Sequence, residues 1–485
     1  MTTPPAVLKG STSMSNRAAP SAVVQPARRI ALEVITAVRE DDAYANLLLP
    51  TKLSRAKLST ADAALATELS YGTLRMRGYY DRVIALAAGR STDKIDPVVL
   101  DVLELAAHQL LGMRVATHAA VNESVELARL VASRSATGFV NGVLRTITRS
   151  EPDEWLDRVL DAAENVDSRL SAEYSHPTWI IRAFRRALIA DGVAPDAVEA
   201  ELRDLLDADN LPPRLGLVAL PGLARREQLL VDGRAARRSP FGFIATGGDP
   251  TDIPEVRDGT VRVQDEGSQL AALALSRASS IAPGEQWLDL CAGPGGKSAL
   301  LEAEARLGGA ILTANEPVPA RAQLVRNALA VFPEPPEVWE EDGTSVGQSH
   351  PESFDRILVD APCTGLGALR RRPEARWRKS PRDVAELAEL QIRLIDSAVH
   401  ALRPGGILAY VTCSPHLAET RGQVAGALAR WKERLTPLDT AAVVAAISGE
   451  TIDPAPDGSQ VQLWPHTTAT DAMFIALFRK NTAAA

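Results

Sequence analysis

The sequence predicts a mixed α/β protein in which an all-helical domain precedes an open, mostly parallel sheet. From about residue 261, short apolar runs such as FDRILVD and GGILAYVTC alternate with helical stretches. This alternation is typical of a parallel sheet covered by helices on both faces. Residues 26–150 carry apolar residues at helical spacing and weak strand signals. Within them, Asp96 is placed to cap a helix that begins at Pro97 and ends before Gly112.

We predict four segments along the 485 residues. Residues 1–25 are rich in Ser, Pro and Ala and predict a disordered tail. Residues 26–150 form the helical domain. Residues 151–260 mix helical patterns with a strand candidate, LPPRLGLVAL, and predict a small connecting α/β domain. Residues 261–485 form the sheet domain, whose last segment, DAMFIALFRK, we expect to be an edge strand.

Composition excludes several classes of protein. No run of about 18 apolar residues is present, so no membrane span is expected. The N-terminal residues lack the apolar core of a signal peptide, and three cysteines cannot form a disulfide framework, so we expect a cytoplasmic monomer. A net charge of −8 argues against a protein that coats nucleic acid nonspecifically, but it allows a local basic face.

A glycine-rich loop marks a candidate ligand site. The segment DLCAGPGGKSALL, residues 289–301, has the order strand, turn, helix. Gly293, Gly295 and Gly296 let the backbone approach a ligand where a Cβ would collide. A tight turn without a ligand is the alternative interpretation. The spacing matches neither the dinucleotide fingerprint nor the Walker loop, so a nucleoside without a pyrophosphate fits better.

Two carboxylates follow the next predicted strands. Glu316 lies 20 residues beyond Gly296 at a strand end, where a carboxylate can accept hydrogen bonds from both ribose hydroxyls of a nucleoside. Asp342 ends the third predicted strand and could receive an adenine amino group. Open α/β sheets bind ligands at this edge, so the loop and both carboxylates are expected to meet there.

All three cysteines follow predicted strands of the sheet domain. For Cys291 a packing role under the glycine loop is the better interpretation. Cys363 lies in ILVDAPCTGLG, three residues after Asp360, and Cys413 lies in LAYVTCSPH. Each alone would be interpreted as a small packing residue, but their combination with the glycine loop favours a catalytic pair.

A basic segment, LGALRRRPEARWRKSPR (residues 366–382), directly follows the Cys363 motif and contains one acid, Glu374. Because it borders the candidate site in a net acidic protein, phosphate contact is the favoured interpretation over a solvated face. Trp377 could stack on a base or simply pack. The candidates for RNA contact are Arg321, Arg370, Arg371, Arg372, Arg376, Arg378 and Lys379.

Together these motifs resemble the Fmu/Sun/RsmB family of bacterial 16S ribosomal RNA (cytosine-C5) methyltransferases. ATELSYGTLR, HAAVNESVELAR and GFVNGVLR are similar to the family's NusB-like RNA-binding module, and QDEGSQLAA is similar to the opening of its catalytic domain. DLCAGPGGK, DAPCTGLG and TCS match its cofactor and cysteine motifs. The resemblance implies a Rossmann-like class I S-adenosylmethionine-dependent domain. It also implies an RNA substrate, either 16S ribosomal RNA (cytosine 967) or a small-subunit assembly intermediate.

The chemistry explains why such an enzyme needs a cysteine and an acid. Carbon 5 of cytosine is a poor nucleophile until a thiolate adds to carbon 6 and ring nitrogen 3 takes a proton. The resemblance implies that Cys413 attacks carbon 6 and that Cys363 helps release the product. Asp360 is the candidate acid, and Lys297 or the cofactor sulfonium would lower the pKa of Cys413.

The resemblance also implies which residues bind or border S-adenosylmethionine, and no metal is expected. These residues are Cys291, Ala292, Gly293, Pro294, Gly295, Gly296, Lys297, Glu316, Asp342 and Asp360.

The chain departs from the family pattern at several positions. Glu316 replaces the usual Asp, and Gly293 replaces a common Ala. SPHLAET follows the nucleophile motif where a more acidic run is frequent, and DAMF replaces DGFF near the end. The last two departures leave the exact target nucleotide in question.

Three alternatives remain. The substrate could be transfer RNA or 23S ribosomal RNA, or the chain could be a non-catalytic NusB-like RNA-binding factor. A DNA methyltransferase is disfavoured, because PCT stands where DNA enzymes favour PCQ. In those enzymes the cysteine after the proline is the nucleophile, so spacing alone leaves the roles of Cys363 and Cys413 open.

Overall fold

The structure is a computed structural model that describes residues 24–229, 233–450 and 458–482. The predicted tail, residues 1–25, lies outside the described residues apart from its last two positions. No helix in these ranges is long and apolar enough to cross a membrane.

The first described part of the chain is helical. Its helices are α1 (Pro26–Glu40), α2 (Ala45–Ala56), α3 (Thr60–Ala88), α4 (Pro97–Ala107), α5 (Thr117–Val131) and α6 (Arg134–Ile147). The 29-residue α3 packs against α1, α4 and α6. Leu69, Tyr80 and Val102 belong to the single buried core that these helices share. The predicted all-helical region is therefore confirmed.

Helix α4 begins as the sequence predicts. Asp96 Oδ1 accepts a hydrogen bond from the backbone N–H of Val98 at 3.0 Å, and Pro97 occupies the first helical position. The end differs, because a π-helical turn, His108–Gly112, continues α4. Gly112 lies inside this turn, and a Cβ there would lie 2.7 Å from Tyr80 Oη, so close packing accounts for this glycine.

Residues 151–260 combine helices with a small sheet. The elements are α7 (Pro152–Asp161), α8 (Val166–Tyr174), α9 (Thr178–Ala190), α10 (Val198–Asn210), β1 (Gly216–Ala219), α11 (Arg226–Leu229), β2 (Gly233–Ala235), β3 (Gly242–Ala245) and α12 (Pro254–Arg257), followed by β4 (Val261–Val263). The sheet is antiparallel with order β2-β3-β1-β4, and β1 confirms the predicted strand candidate. Trp155 of α7 packs in the core of the preceding helices, so packing crosses the predicted boundary after residue 150. The domain limits themselves stay a prediction.

The C-terminal part forms the large sheet. Its elements are α13 (Glu266–Ser276), β5 (Gln286–Asp289), α14 (Gly296–Gly308), β6 (Ile311–Asn315), α15 (Pro319–Leu329), β7 (Glu337–Trp339), α16 (Val346–Ser349), β8 (Phe354–Asp360), α17 (Ala375–Arg378), α18 (Pro381–Ala401), β9 (Leu402–Thr412), α19 (Arg421–Arg430), β10 (Leu435–Pro437), α20 (Thr440–Ser448), β11 (Gln460–Gln462), α21 (Pro465–Thr468) and β12 (Phe474–Lys480).

Five strands of this sheet, in the order β7-β6-β5-β8-β9, run parallel, which confirms the predicted fold class. Strand β12 is antiparallel to β9 and also pairs with β10 and β11. The expectation that this last segment is an edge strand is therefore wrong. Because the strand order reverses between β5 and β8, a crevice opens at their carboxyl ends, where such folds bind ligands.

Candidate active site

The glycine-rich loop connects β5 to α14 at this crevice. Ser298 Oγ donates to Asp289 Oδ2 at 2.7 Å, and Ala292 N donates to the Asn315 carbonyl at 2.8 Å, so the loop is tied at both ends. Gly295 has a φ of +100°, and a Cβ there would lie 2.6 Å from a side chain of α15. Both the backbone conformation and the packing therefore require glycine at this position.

Glu316 lies directly after β6 and beside the loop. Its Oε1 accepts a hydrogen bond from Val318 N at 3.1 Å. Arg321, on α15, approaches Glu316 Oε2 at 3.3 Å and donates to the Gly293 carbonyl at 3.0 Å. The structure therefore places Arg321 beside the predicted cofactor residues. Its side chain is 52% exposed, so its assignment as an RNA contact stays a prediction.

Asp342 follows β7 and is exposed. Its Oδ1 accepts hydrogen bonds from the backbone and hydroxyl of Thr344, at 2.9 and 2.8 Å. Sequence reasoning missed the neighbouring Asn315, whose amide donates to the carbonyls of Leu290 and Glu341, both at 3.1 Å. Asn315 thus fixes the ends of β5, β6 and β7 to one another, which sets the spacing of the loop and both carboxylates.

Lys297 and Asp360 form an ion pair at the mouth of the crevice, with Nζ and Oδ2 2.8 Å apart. Their side chains remain 12% and 25% exposed, so a ligand can reach them. Burial alone would lower the pKa of Lys297, but the Asp360 carboxylate reverses this and raises it. Burial also raises the pKa of Asp289 to about 7, and its Oδ1 has no hydrogen-bond partner within the described residues.

The two motif cysteines meet across β8 and β9. The sulfurs of Cys363 and Cys413 lie 3.5 Å apart although the residues are 50 positions apart in the chain. A hydrogen bond from the Cys363 thiol lowers the pKa of Cys413 and raises that of Cys363 well above its ordinary value. Lys297 also lowers the pKa of Cys413, in the direction that the sequence predicts, but it is a smaller cause than the hydrogen bond.

Cys291 lies apart from this pair. It packs against the core that Leu290 and Ile357 share, and burial raises the pKa of its thiol. This placement matches the packing role that the sequence favours. Within the described residues, no group of His, Cys, Asp and Glu side chains is arranged to hold a metal ion.

Glu419 is a buried acid that sequence reasoning did not select. It ends a short 3₁₀ turn, Leu417–Glu419, and has no exposed surface. Its carboxylate accepts hydrogen bonds from Thr364 N at 2.7 Å, Thr364 Oγ1 at 2.5 Å and Ser414 Oγ at 2.6 Å. It therefore joins the residues that follow the two cysteines. The only signal in the sequence is an acid six positions after Cys413.

Comparisons with known proteins match both the sheet domain and the helical region. Residues 278–479 match the family model described as 16S rRNA methyltransferase RsmB/F, and residues 25–149 match the NusB family. The chain is 47% identical to a putative methyltransferase of Mycobacterium tuberculosis over 95% of this chain and 97% of that protein. This chain belongs to the RsmB/F methyltransferase family. It is also 32% identical to the probable ribosomal RNA small subunit methyltransferase B of Bacillus subtilis, over 94% and 98% of the two chains.

A solved structure supports the fold of this RsmB/F family member over nearly its whole length. The crystal structure of PH0851 superposes with a TM-score of 0.74 and covers 94% of this chain and 99% of that one. Its sequence is 21% identical, so this likeness concerns the fold alone.

The basic segment of this family member lies largely inside the molecule. Arg376 is fully buried and donates to the carbonyls of Arg75 and Asp209, at 2.9 and 2.8 Å, and to Asn210 Oδ1 at 2.8 Å. The guanidinium therefore joins α17 to α3 and α10. The prediction that Arg376 contacts RNA is wrong, because RNA cannot reach it.

Two more arginines of the segment are also paired internally. Arg370 and Arg371 each contact both Asp265 and Asp471 at distances of 2.7 to 3.0 Å. The prediction of RNA contact is corrected for both, because these aspartates neutralise them. Sequence reasoning missed the aspartates, which lie about a hundred positions away on either side.

The rest of the segment lies against the helical region. Arg378 donates to the carbonyls of Val38 and Ala43, at 2.6 and 2.7 Å, so its predicted RNA contact is also replaced by an internal one. Trp377 is 38% exposed and covers α3. Arg372 is exposed and Lys379 is half-buried, and both keep the accessibility that phosphate contact needs. Arg371 and Arg378 are half-buried too, but their guanidinium groups bond internally.

Helix α6, together with Arg149 just beyond its end, presents a different basic face within the NusB-matching residues. Arg134, Arg145 and Arg149 are exposed, and no ion pair involves them in the described part of the chain. Gly138 and Gly142 lie between them at helical spacing, with open space where a Cβ would stand. Sequence reasoning missed this face because its cations are separated by several residues instead of forming a run.

Proposed function

We propose that this RsmB/F family member transfers a methyl group from S-adenosylmethionine to carbon 5 of a cytosine in 16S ribosomal RNA. Cytosine 967 is the target that the family resemblance suggests. The observation that supports the chemistry best is the 3.5 Å approach of Cys363 to Cys413 beside the Lys297–Asp360 pair. One sulfur can attack the base as a thiolate, while the thiol of the other cysteine donates a hydrogen bond to the attacking sulfur.

The glycine loop and the carboxylates around it fit S-adenosylmethionine. The buried Asp289 Oδ1 has no hydrogen-bond partner within the described residues. Because buried polar atoms are normally hydrogen-bonded, a ligand group such as the ammonium of the cofactor would supply the missing donor. The residues that would hold the cofactor are Cys291 to Lys297, Glu316, Asp342 and Asp360. When bound, S-adenosylmethionine supplies a methyl group on a sulfonium sulfur, which an activated carbon 5 can take.

The residues of this chain provide the activation. The Cys413 thiolate forms a bond to carbon 6, and the displaced π electrons pass through the ring to nitrogen 3, which takes a proton from Asp360. Asp360 donates this proton from its protonated form, and Lys297 pairs with the carboxylate that remains. After methylation, nitrogen 3 returns its proton to Asp360 and water takes the carbon 5 proton. The electron pair of the broken C–H bond restores the double bond between carbons 5 and 6 and expels the Cys413 sulfur as a thiolate. The Cys363 sulfur lies 3.5 Å from this sulfur, and its thiol can donate a hydrogen bond that stabilises the Cys413 sulfur as it leaves.

RNA would be held by the exposed face of α6, together with Arg372 and Lys379. The arginines can contact phosphates, and the two glycines let the RNA backbone approach the helix closely. A cytoplasmic location and a monomeric state remain predictions.

A methyl-transfer assay tests the substrate. We expect labelled S-adenosylmethionine to place 5-methylcytosine in unmodified 16S RNA, with no transfer to 23S or transfer RNA. Transfer to either of those RNAs alone would reassign the substrate. Transfer to none would favour a non-catalytic RNA-binding factor.

Cysteine variants test the mechanism. Cys413→Ala should abolish methylation because the neighbouring Cys363 has a raised pKa and stays a thiol instead of becoming an attacking thiolate. Cys363→Ala should accumulate a covalent protein–RNA adduct, detectable on a denaturing gel, because release is slowed. Adduct accumulation by Cys413→Ala instead would reverse the two roles.

A further inference from the structure

Glu419 has contacts to both cysteine motifs at once. The residue after Cys363, Thr364, gives the Glu419 carboxylate a backbone and a hydroxyl hydrogen bond, and the residue after Cys413, Ser414, gives it another hydroxyl bond. All three bonds measure 2.5 to 2.7 Å, in a position without solvent exposure. Bonds of this length to a carboxylate are strong and fix both donors.

A second set of bonds holds Glu419 itself in place. Tyr410 Oη donates to the Glu419 carbonyl at 2.7 Å and lies 3.1 Å from Gln391 Oε1, so its single proton is shared between these two acceptors. The amide of Gln391 donates to the Pro362 carbonyl at 2.8 Å, next to Cys363. The loop after β8 and the loop after β9 are therefore connected twice, once through a carboxylate and once through a phenol and an amide.

Charges face the two sulfurs from different sides. On the Cys413 side, Lys297 and Arg372 lower the pKa of the thiol, whereas Asp360 raises it. On the other side, the hydrogen bond to Cys413 is the largest cause of the raised Cys363 pKa, and the Glu419 charge adds to it. The neighbouring titratable side chains, Tyr410 and His416, pack behind Glu419.

We propose that Glu419 is a positioning residue that decides which of the two cysteines attacks. Its bonds hold the Cys363 loop against the Cys413 loop, and its negative charge keeps Cys363 as the protonated partner that donates to Cys413. This inference rests on the proposed function of the cysteine pair. The RNA itself plays no part in the arrangement, so it can be tested without a substrate.

Alkylation of the RNA-free protein provides the test. Iodoacetamide reacts with thiolates, and peptide mass spectrometry reports each cysteine separately across a pH series. In the unmodified chain, Cys413 should react at lower pH than Cys363. In Glu419→Gln, which keeps the shape but removes the charge, Cys363 should react about tenfold faster at mildly alkaline pH, and the two profiles should converge.

A buried carboxylate away from the site provides the control. Glu304 on α14 is buried and bonded to Ser276 and Arg277, so Glu304→Gln should leave both alkylation profiles unchanged. If Glu419→Gln does not fold, Glu419→Asp, which withdraws the charge from Thr364, should shift Cys363 in the same direction by a smaller amount.

Unshifted Cys363 profiles in folded Glu419 variants would overturn the proposal, even if methylation falls, because Glu419 would then be merely structural. Failure of the proposed function appears separately, as the absence of methyl transfer by the unmodified chain. The two failures are therefore distinguishable.

Discussion

The space beside Gly293 is filled by the ends of two side chains, and its backbone conformation is one that other residues can adopt. Gly293 is absent from the glycines with positive φ, whereas its neighbour Gly295 has a φ of +100°. A Cβ on Gly293 would lie 2.2 Å from Glu316 Oε2 and 2.8 Å from the guanidinium of Arg321. The two departures from the family pattern near the cofactor loop, Gly293 and Glu316, therefore occupy the same small volume and belong together.

This pairing predicts a rescue. Gly293→Ala should weaken S-adenosylmethionine binding about tenfold, because forcing a methyl group into a filled site costs about 1–3 kcal/mol. The double variant Gly293→Ala, Glu316→Asp should recover most of the affinity, because the shorter carboxylate withdraws from the new methyl group. Isothermal titration calorimetry of both variants and of Glu316→Asp completes a double-mutant cycle. Additive losses would show that the positions are independent.

Sequence alone predicted the centre of the site better than its surroundings. Cys363, Cys413 and Asp360 follow strands, and the carboxyl ends of parallel strands share one edge, so their meeting could be predicted. The partners of Arg376 could not be predicted, because they are carbonyls that only the folded chain brings close. A run of arginines in the sequence shows that the segment is positively charged. It does not show whether a carboxylate that is distant in the chain, such as Asp471, lies beside it in the fold.

At the scale of elements, the two basic features of the chain have different surroundings. The segment around α17 packs between the sheet domain and the helical region, where its arginines bond to carbonyls and carboxylates. The face of α6 has cations without such partners in the described residues and a glycine-lined surface between them. Phosphate contact is therefore expected from α6.

Replacing Arg134, Arg145 and Arg149 by Ala together should weaken RNA binding and flatten its dependence on salt. Each lost phosphate contact removes about 0.7 to 0.9 from the logarithmic salt slope, so the slope should fall by about 2. Filter binding at several salt concentrations measures both effects. Arg382→Ala is the matched control, because Arg382 is equally exposed but paired with Glu386. An unchanged slope in the triple variant would remove α6 from the RNA surface.

The wrong prediction that β12 is an edge strand is also explained by neighbouring elements. Its apolar sequence predicted a strand correctly, but position within a sheet depends on which other segments pair with it. β10 and β11 are only three residues each, too short for a periodic signal, yet together they cover the outer side of β12.

At the scale of the whole molecule, α3 and α17 form one of the contacts that join the helical region to the sheet domain. Trp377 lies against Gly78 in the middle of α3, where a Cβ would come within 2.3 Å of the indole ring. Gly78 N also donates to Ser175 Oγ at 2.9 Å, so α8 meets the same point. The segment carrying Trp377 follows the Cys363 motif, so this contact links the helical region to the catalytic loop.

Gly78→Ala tests that link, because the contact with Trp377 decides whether this substitution raises or lowers the unfolding temperature. In an exposed helix, Ala is more stable than Gly by about 1 kcal/mol, and Gly142→Ala in α6, where the Cβ meets open space, should raise the unfolding temperature. Gly78→Ala should lower it, because the collision with Trp377 costs about 1–3 kcal/mol and separates α3 from α17. Scanning calorimetry should also resolve an earlier transition for the helical region. If Gly78→Ala stabilises the chain as Gly142→Ala does, the Trp377 side chain moves aside at little cost. The two regions would then be held together by other contacts.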